Sequence, residues 1–161
     1  MNKKIKQLSN QITKLLDKAK VKYKIISHKV VYTAHDAAQT TKKKLSEIAK
    51  VVLVKADKSF VLIVLPAGKY VDFSGIKKAL KAKKVSMASE KDIEKYLKTK
   101  VGLLHPFGSQ YNIQTLLDKG MAKTKKMIAS AGSFTHSLEF SMKDFEKMVK
   151  PIKGAFAKSK R

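Results

Sequence analysis

The stretch Lys50–Pro66, KVVLVKADKSFVLIVLP, limits the fold more than any other part of the chain. Two runs rich in Val, Ile and Leu, Lys50–Ala56 and Phe60–Leu65, flank the polar Asp57–Lys58–Ser59. Their length, their β-branched content and the turn chemistry between them predict a β-hairpin. Neither run alternates apolar with polar residues. A strand that is apolar on both sides is covered on both faces, as at the centre of a sheet. Lys50 stands at the mouth of the first run, directly after Ile48–Ala49. A lysine at the edge of a buried strand is placed to act on a neighbouring group.

Around this hairpin the signals mix helices with strands. Ser9 is positioned to cap a helix carrying Ile12, Leu15, Leu16 and Ala19 at helical spacing. Val21–Ser27 reads as a strand. Thr33 and Asp36 fit a capping box that opens a helix running towards Ile48. After the hairpin, Ser74–Lys81 reads as a helix and Val85–Ala88 as a strand. Ser89 with Asp92 opens another helix through Ile93, Tyr96 and Leu97. Residues Lys100–Asn112 are irregular, because Gly102, Pro106 and Gly108 break any period. Ile113–Leu117, Lys126–Ala131 and His136–Phe140 read as strands. Ser141 with Asp144 caps a last helix ending near Pro151, and residues 152–161 are expected to form a frayed basic tail.

No repeat, strict βαβ alternation or Pro/Gly/Ser-rich linker divides the chain. The order predicts a single α+β domain over 1–161. Its sheet is mixed and mostly antiparallel, curled toward a barrel with flanking helices.

Charge narrows the partners. The formal net charge is +24 over 161 residues, and Arg161 is the only arginine. Such a surplus favours a polyanion, nucleic acid first. Lysine is a point charge rather than a bidentate reader, so attraction to the phosphate backbone without a base code is expected. A lysine-biased genome loads a neutral surface in the same way. There is no cysteine, which removes disulfides, thiol nucleophiles and thiolate metal sites. No apolar run approaches the ~20 residues of a membrane span, and the N-terminus has no uninterrupted apolar region of a secretory signal. The chain reads as soluble and cytoplasmic.

Familiar catalytic signatures are missing: no G-x-x-x-x-G-K-[ST], no H-E-x-x-H and no G-x-S-x-G. His28, His35, His105 and His136 are scattered without the spacing of a zinc site, so neither metal nor cofactor is expected. Two irregular segments are candidates for ligand contact. Gly102–Leu103–Leu104–His105–Pro106 is a loop that holds two leucines and is therefore partly buried, and its glycine lets backbone amides approach a ligand. Ser130–Ala131–Gly132–Ser133 ends a strand in small residues, which opens space. An ordinary turn is the plain alternative for each.

Together these pieces resemble the YbaK-type proteins and the editing domain inserted in bacterial prolyl-tRNA synthetases. The resemblance spans about Ser27 to Met148. It rests on VYTAHDAA (Val31–Ala38), IAKVVLV (Ile48–Val54), VGLLHP (Val101–Pro106), and MIASAG (Met127–Gly132) followed by HSLEF (His136–Phe140). The lysine opening the central strand and the G-x-x-x-P loop are its most specific marks. It implies a free-standing deacylase that hydrolyses the ester of a wrong amino acid on the 3′ end of tRNA. The typical substrates are alanine or cysteine on proline tRNA, and the mechanism is metal-free. It also implies roles: Lys50 and Gly102 in catalysis, and Tyr32, Thr33, Pro106, Ser130, Gly132 and His136 in substrate binding. The implied partners are mischarged tRNA and prolyl-tRNA synthetase. Many members carry Thr or Asn directly after the lysine, where this chain has Val51. Two other readings stand beside this one. One is a catalytically inactive tRNA- or synthetase-binding module of the same fold. The other is a nonspecific nucleic-acid binder, against which the 7% aromatic content speaks.

Overall fold

The structure is a computed structural model that describes residues 12–27, 44, 46–99, 103–131 and 135–159. At its centre lies the expected hairpin. Strand β2 (Ala49–Ala56) pairs antiparallel with β3 (Ser59–Pro66), from Ala49 opposite Pro66 to Ala56 opposite Ser59. Asp57 takes a positive φ of 55° in the turn, a conformation that aspartate tolerates better than most residues. Its carboxylate accepts hydrogen bonds from the amides of Lys83 and Lys84, which hold its pKa below the usual carboxylate range.

Two further strands flank the hairpin and a third lies beyond them, in the order β5–β2–β3–β6–β9. Strand β5 is Val85–Met87, β6 is Gln114–Asp118 and β9 is Ile152–Gly154. The β2–β5 pair is antiparallel, whereas β3–β6 and β6–β9 are parallel. A second sheet of three antiparallel strands has the order β1–β8–β7: β1 is Tyr23–Ser27, β7 Lys126–Ser130 and β8 His136–Ser141. The two sheets meet at one seam. There Ile48 forms a parallel bridge with Ile128, and the Ile128 amide donates to the Glu47 carbonyl at 2.9 Å. The two sheets are joined by this bridge and are not closed into a barrel among the described residues.

Both faces of the hairpin are covered, as its unbroken apolar runs require. One face buries Val54, Ile63 and Leu65 with Val71, Phe156 and Ile76 of helix α2 (Phe73–Leu80). The other carries Ala49 and Val64 into a core shared with the second sheet, which holds Ile12 and Leu16 of helix α1 (12–18), Phe107, Ala129, Ala131, Leu138 and Phe145. A third cluster on that side joins Leu53 and Leu62 to Ile93, Leu97 and Leu104.

Two of the sequence signals for capping have counterparts among the described residues. Ser89 and Asp92 close the expected capping box at helix α3 (Glu90–Asp92), which widens into a π-helical turn over Ile93–Leu97. The Ser141 hydroxyl accepts from the Asp144 amide at the start of the last helix, Met142–Val149. Asp72, rather than a serine, caps α2 by accepting from the Gly75 amide.

Two expectations need correction. Ile48 belongs to the seam rather than to a helix end, because its backbone is taken up by the bridge to Ile128 and by the Ala67 amide. The Thr33–Asp36 box and most of the helix drawn from it lie outside the described residues. The segment expected to fray also folds back over residues 152–159. Ile152–Gly154 adds a strand beside β6, and strand β10 (Ala157–Lys158) pairs with β4 (Tyr70–Val71). Phe156, between them, is fully buried. One aromatic residue in a lysine-rich run anchors the segment by its burial.

Gly75 shows how tightly that segment is seated. A Cβ added there would stand 1.8 Å from the Ala155 carbonyl oxygen, which is backbone and cannot swing aside. Gly75→Ala is expected to lower stability by about 1–3 kcal/mol through overpacking, despite the better helix propensity of alanine. Chemical denaturation would detect it, and an unchanged or raised midpoint would contradict this packing.

Candidate functional site

Lys50 is the second residue of β2, opposite Leu65. Strand alternation puts it on the same face as Val52 and Val54. The residue as a whole is half-buried, and its ammonium reaches an exposed contact on the turn after β3. The ammonium donates to the Lys69 carbonyl at 3.2 Å and lies 5.5 Å from the centre of the Tyr70 ring. A carbonyl and an aromatic face both attract a cation, so they help to fix the position of the charge.

The seam determines what lies beside this lysine. Ile48 and Ile128 pair in parallel in an isolated bridge, so Lys50 and Ser130 each follow a bridged residue by two positions. Ser130 is opposite Ser137 in the β7–β8 ladder, and the next residue, Ala131, donates its amide to the His136 carbonyl at 3.3 Å. His136 opens β8 opposite Ser27, with its Nδ1 2.9 Å from the Thr135 hydroxyl. Ser130 and His136 are both half-buried.

The loop 103–107 packs, through Phe107, into the core on the face of β2 opposite the Lys50 side chain. Leu103, Leu104, His105, Pro106 and Phe107 are all buried, as its two leucines predict. Phe107 sits in an aromatic cluster with Phe140 and Phe145, and in the same core as Ala49 and Ala131, the neighbours of Lys50 and Ser130. The Pro106 carbonyl accepts from the Gly108 amide at 3.1 Å. Among the described residues Ser130 and His136 thus lie at one end of the β7–β8 ladder, and Lys50 lies two residues past the bridge that joins β2 to that sheet. Tyr32, Thr33, Gly102 and Gly132 lie outside the described residues.

Sequence reading missed the device that stiffens this loop. His105 and Tyr111 stack nearly parallel, with ring centres 4.2 Å apart and 11° between planes. The Tyr111 hydroxyl accepts from the His105 amide, and His105 Nδ1 accepts from the Phe107 amide, each at 3.2 Å. That second bond places the ring proton on Nε2. Burial pushes the Tyr111 phenol up to about 12 and His105 down to about 3. The six-residue spacing of a histidine and a tyrosine across a proline gave no recognisable signal in the sequence.

The depressed histidine carries a pH prediction. Unfolded chain takes up this proton near 6.5, folded protein only near 3. The neutral ring therefore contributes its full stabilisation above about 6.5. That share is lost as the pH falls from there towards 3, at up to about 1.4 kcal/mol per pH unit. His105→Asn keeps an acceptor for the Phe107 amide and removes the titration. Its stability is expected to decline less steeply between pH 6 and 4, by about one proton's worth, in urea unfolding measured across that range. Parallel declines in the two proteins would contradict the assignment.

Among the described residues no group of three or more His, Asp or Glu side chains is placed to hold a metal ion. None of their helices is long and apolar enough to cross a membrane.

With the geometry in hand, comparison with known proteins is direct. The model of the aminoacyl-tRNA editing domain matches residues 28–148. The chain is 26% identical over 141 residues to the prolyl-tRNA editing protein ProX of Acetoanaerobium sticklandii, covering 84% of this chain and 86% of that one. Its fold superposes on hypothetical protein APE2540 with a TM-score of 0.85 at 19% identity, over 92% of this chain and 99% of the other. A chain described as a candidate trans-editing enzyme for prolyl tRNA synthetase superposes with a TM-score of 0.82 at 14% identity, over 94% and 97%. At these identities the superpositions speak for the fold, and they agree with the α+β architecture and mixed sheet expected from the sequence. By the match over residues 28–148, which takes in the Lys50 strand, the 103–107 loop and the β7–β8 pair, the chain belongs to the aminoacyl-tRNA editing domain family.

Proposed function

We propose that this protein is a trans-editing hydrolase that removes a wrong amino acid, alanine or cysteine, from proline tRNA in the cytoplasm. The observation that carries the reading is the placement of Lys50. A member of an editing family holds this ammonium at the strand mouth, at an exposed contact oriented by the Lys69 carbonyl and the Tyr70 ring. In the proposed mechanism Lys50 grips the terminal phosphate or ribose of the tRNA as a point charge. An aminoacyl ester is already activated, so water can attack its carbonyl without a protein nucleophile or a metal. Negative charge then grows on the carbonyl oxygen. Backbone amides at Gly102 receive it, and removing one such donor typically lowers the rate by about 10²–10³.

We assign substrate binding to Tyr32, Thr33, Pro106, Ser130, Gly132 and His136, whose small members suit a short side chain. The physical need for such a protein is general. Pockets separate apolar side chains that differ by one methylene by only about 1–3 kcal/mol, so a second, hydrolytic sieve is required. That the ProX relative is a prolyl-tRNA editing protein supports the tRNA substrate, and docking on prolyl-tRNA synthetase belongs to the same proposal.

The test is amino-acid release from alanyl-, cysteinyl- and prolyl-tRNA(Pro) incubated with purified protein. Accelerated release of alanine or cysteine, with the prolyl ester spared, is the expected pattern. Salt-sensitive tRNA binding with no release from any of the three would overturn it in favour of a binding module.

A further inference from the structure

Beside Lys50 the structure builds a second fixed cation that the family reading does not use. Lys69 follows the turn after β3, is exposed, and directs its ammonium to the Ser159 hydroxyl at 2.8 Å. Its own carbonyl is the group that receives Lys50. One residue thus orients two ammonium groups, its backbone holding one and its side chain supplying the other. Lys69 has no carboxylate partner among the described residues. Its anchor is a neutral hydroxyl, which fixes geometry and leaves the positive charge uncompensated. Next to it Tyr70 is 39% exposed and presents an aromatic surface. Lys158 stands opposite Tyr70 in the β4–β10 ladder and adds a third cation.

Paired lysines around an exposed ring match the chemistry of single-stranded nucleic acid, whose phosphates seek cations and whose bases stack on aromatic faces. We propose that Lys69 and Tyr70, positioned by Ser159 of the folded-back C-terminal strand, form a subsite for the unpaired 3′ end of an RNA. Lys69 holds a phosphate and Tyr70 a base, next to the nucleotide that Lys50 receives. The subsite rests on the proposed editing function for its orientation along the RNA, yet it is a statement about binding and is testable without any ester.

The experiment measures affinity of the full chain for uncharged tRNA(Pro) and for the same tRNA with its single-stranded 3′ end removed, across a salt series. Lys69→Met is expected to weaken binding of intact tRNA roughly tenfold at low salt. It should also reduce the slope of log affinity against log salt by about 0.7, and leave the truncated tRNA unaffected. Tyr70→Ala should weaken intact tRNA several-fold with little change in that slope. Ser159→Ala acts through Lys69, so its effect should vanish in the Lys69→Met background. Lys91→Met, on α3, serves as the control for diffuse charge. Equal weakening of both RNAs, a Lys69→Met effect no larger than that of Lys91→Met, or no weakening at all would overturn the subsite. Absence of deacylation by the wild type with this binding pattern intact would instead overturn the editing function and leave the subsite standing.

Discussion

Lys50→Ala is expected to lower kcat/KM for deacylation of mischarged tRNA by roughly 100-fold, with little change in thermal stability. The size follows from the bond removed. A charge-assisted contact to a phosphate or ribose oxygen is worth about 1.5–3 kcal/mol, and each 1.36 kcal/mol is a factor of ten in rate. The fold should tolerate the change, because the ammonium bonds to a carbonyl of an exposed turn rather than to the core. Lys50→Met separates charge from packing: its stem can still lie near Tyr70, so activity should fall as far as in Lys50→Ala. Lys50→Arg keeps the charge but spreads it over a planar fork, and an intermediate rate is expected. If Lys50→Met kept near-normal kcat/KM, the role given to the charge would be wrong.

Asp118→Ala is expected to produce the largest loss of stability, about 3–5 kcal/mol. Asp118 is buried at the end of β6, and its carboxylate gathers three backbone amides. Oδ2 accepts from Gly120 at 3.0 Å, which caps the short helix Lys119–Ala122, while Oδ1 accepts from Phe156 and Ala157, each at 3.0 Å. Hydrogen bonds to a charged acceptor contribute about 1.5–3 kcal/mol each, and the Phe156 amide would be left buried without this partner. Guanidinium unfolding measures the loss directly. Amide hydrogen exchange should show Phe156 and Ala157 losing protection ahead of the hairpin. A loss below about 1 kcal/mol, within the range of ordinary surface substitutions, would show that the C-terminal strand is held by other means.

The legible parts of this fold were the ones governed by local rules. The β2–β3 hairpin was marked by two apolar runs and a polar turn, and the Ser89 and Ser141 caps by hydroxyl and carboxylate spacing. The candidate site was partly legible for a different reason: Lys50 and the loop ending in Pro106 are visible only as a motif in order along the chain. What could not be read were contacts between distant residues. Nothing near Ile48 announces a parallel bridge to Ile128, so helical spacing won there by default. Nothing near Lys69 announces Ser159, ninety positions away. The C-terminal run looked like a solvated tail because lysine dominates its composition. Yet one buried ring, Phe156, and one distant carboxylate, Asp118, determine its course. The His105–Tyr111 stack was hidden because each residue taken alone has an ordinary surface role.

The most direct test of the central claim is single-turnover hydrolysis of alanyl-tRNA(Pro) with the protein in excess, against the spontaneous rate in buffer and against the Lys50→Met variant. The account predicts ester loss well above the spontaneous rate with the native chain, and a rate roughly 100-fold lower with the variant at the same subsaturating protein concentration. No acceleration over buffer by the native chain, or equal rates in the native chain and the variant, would contradict it.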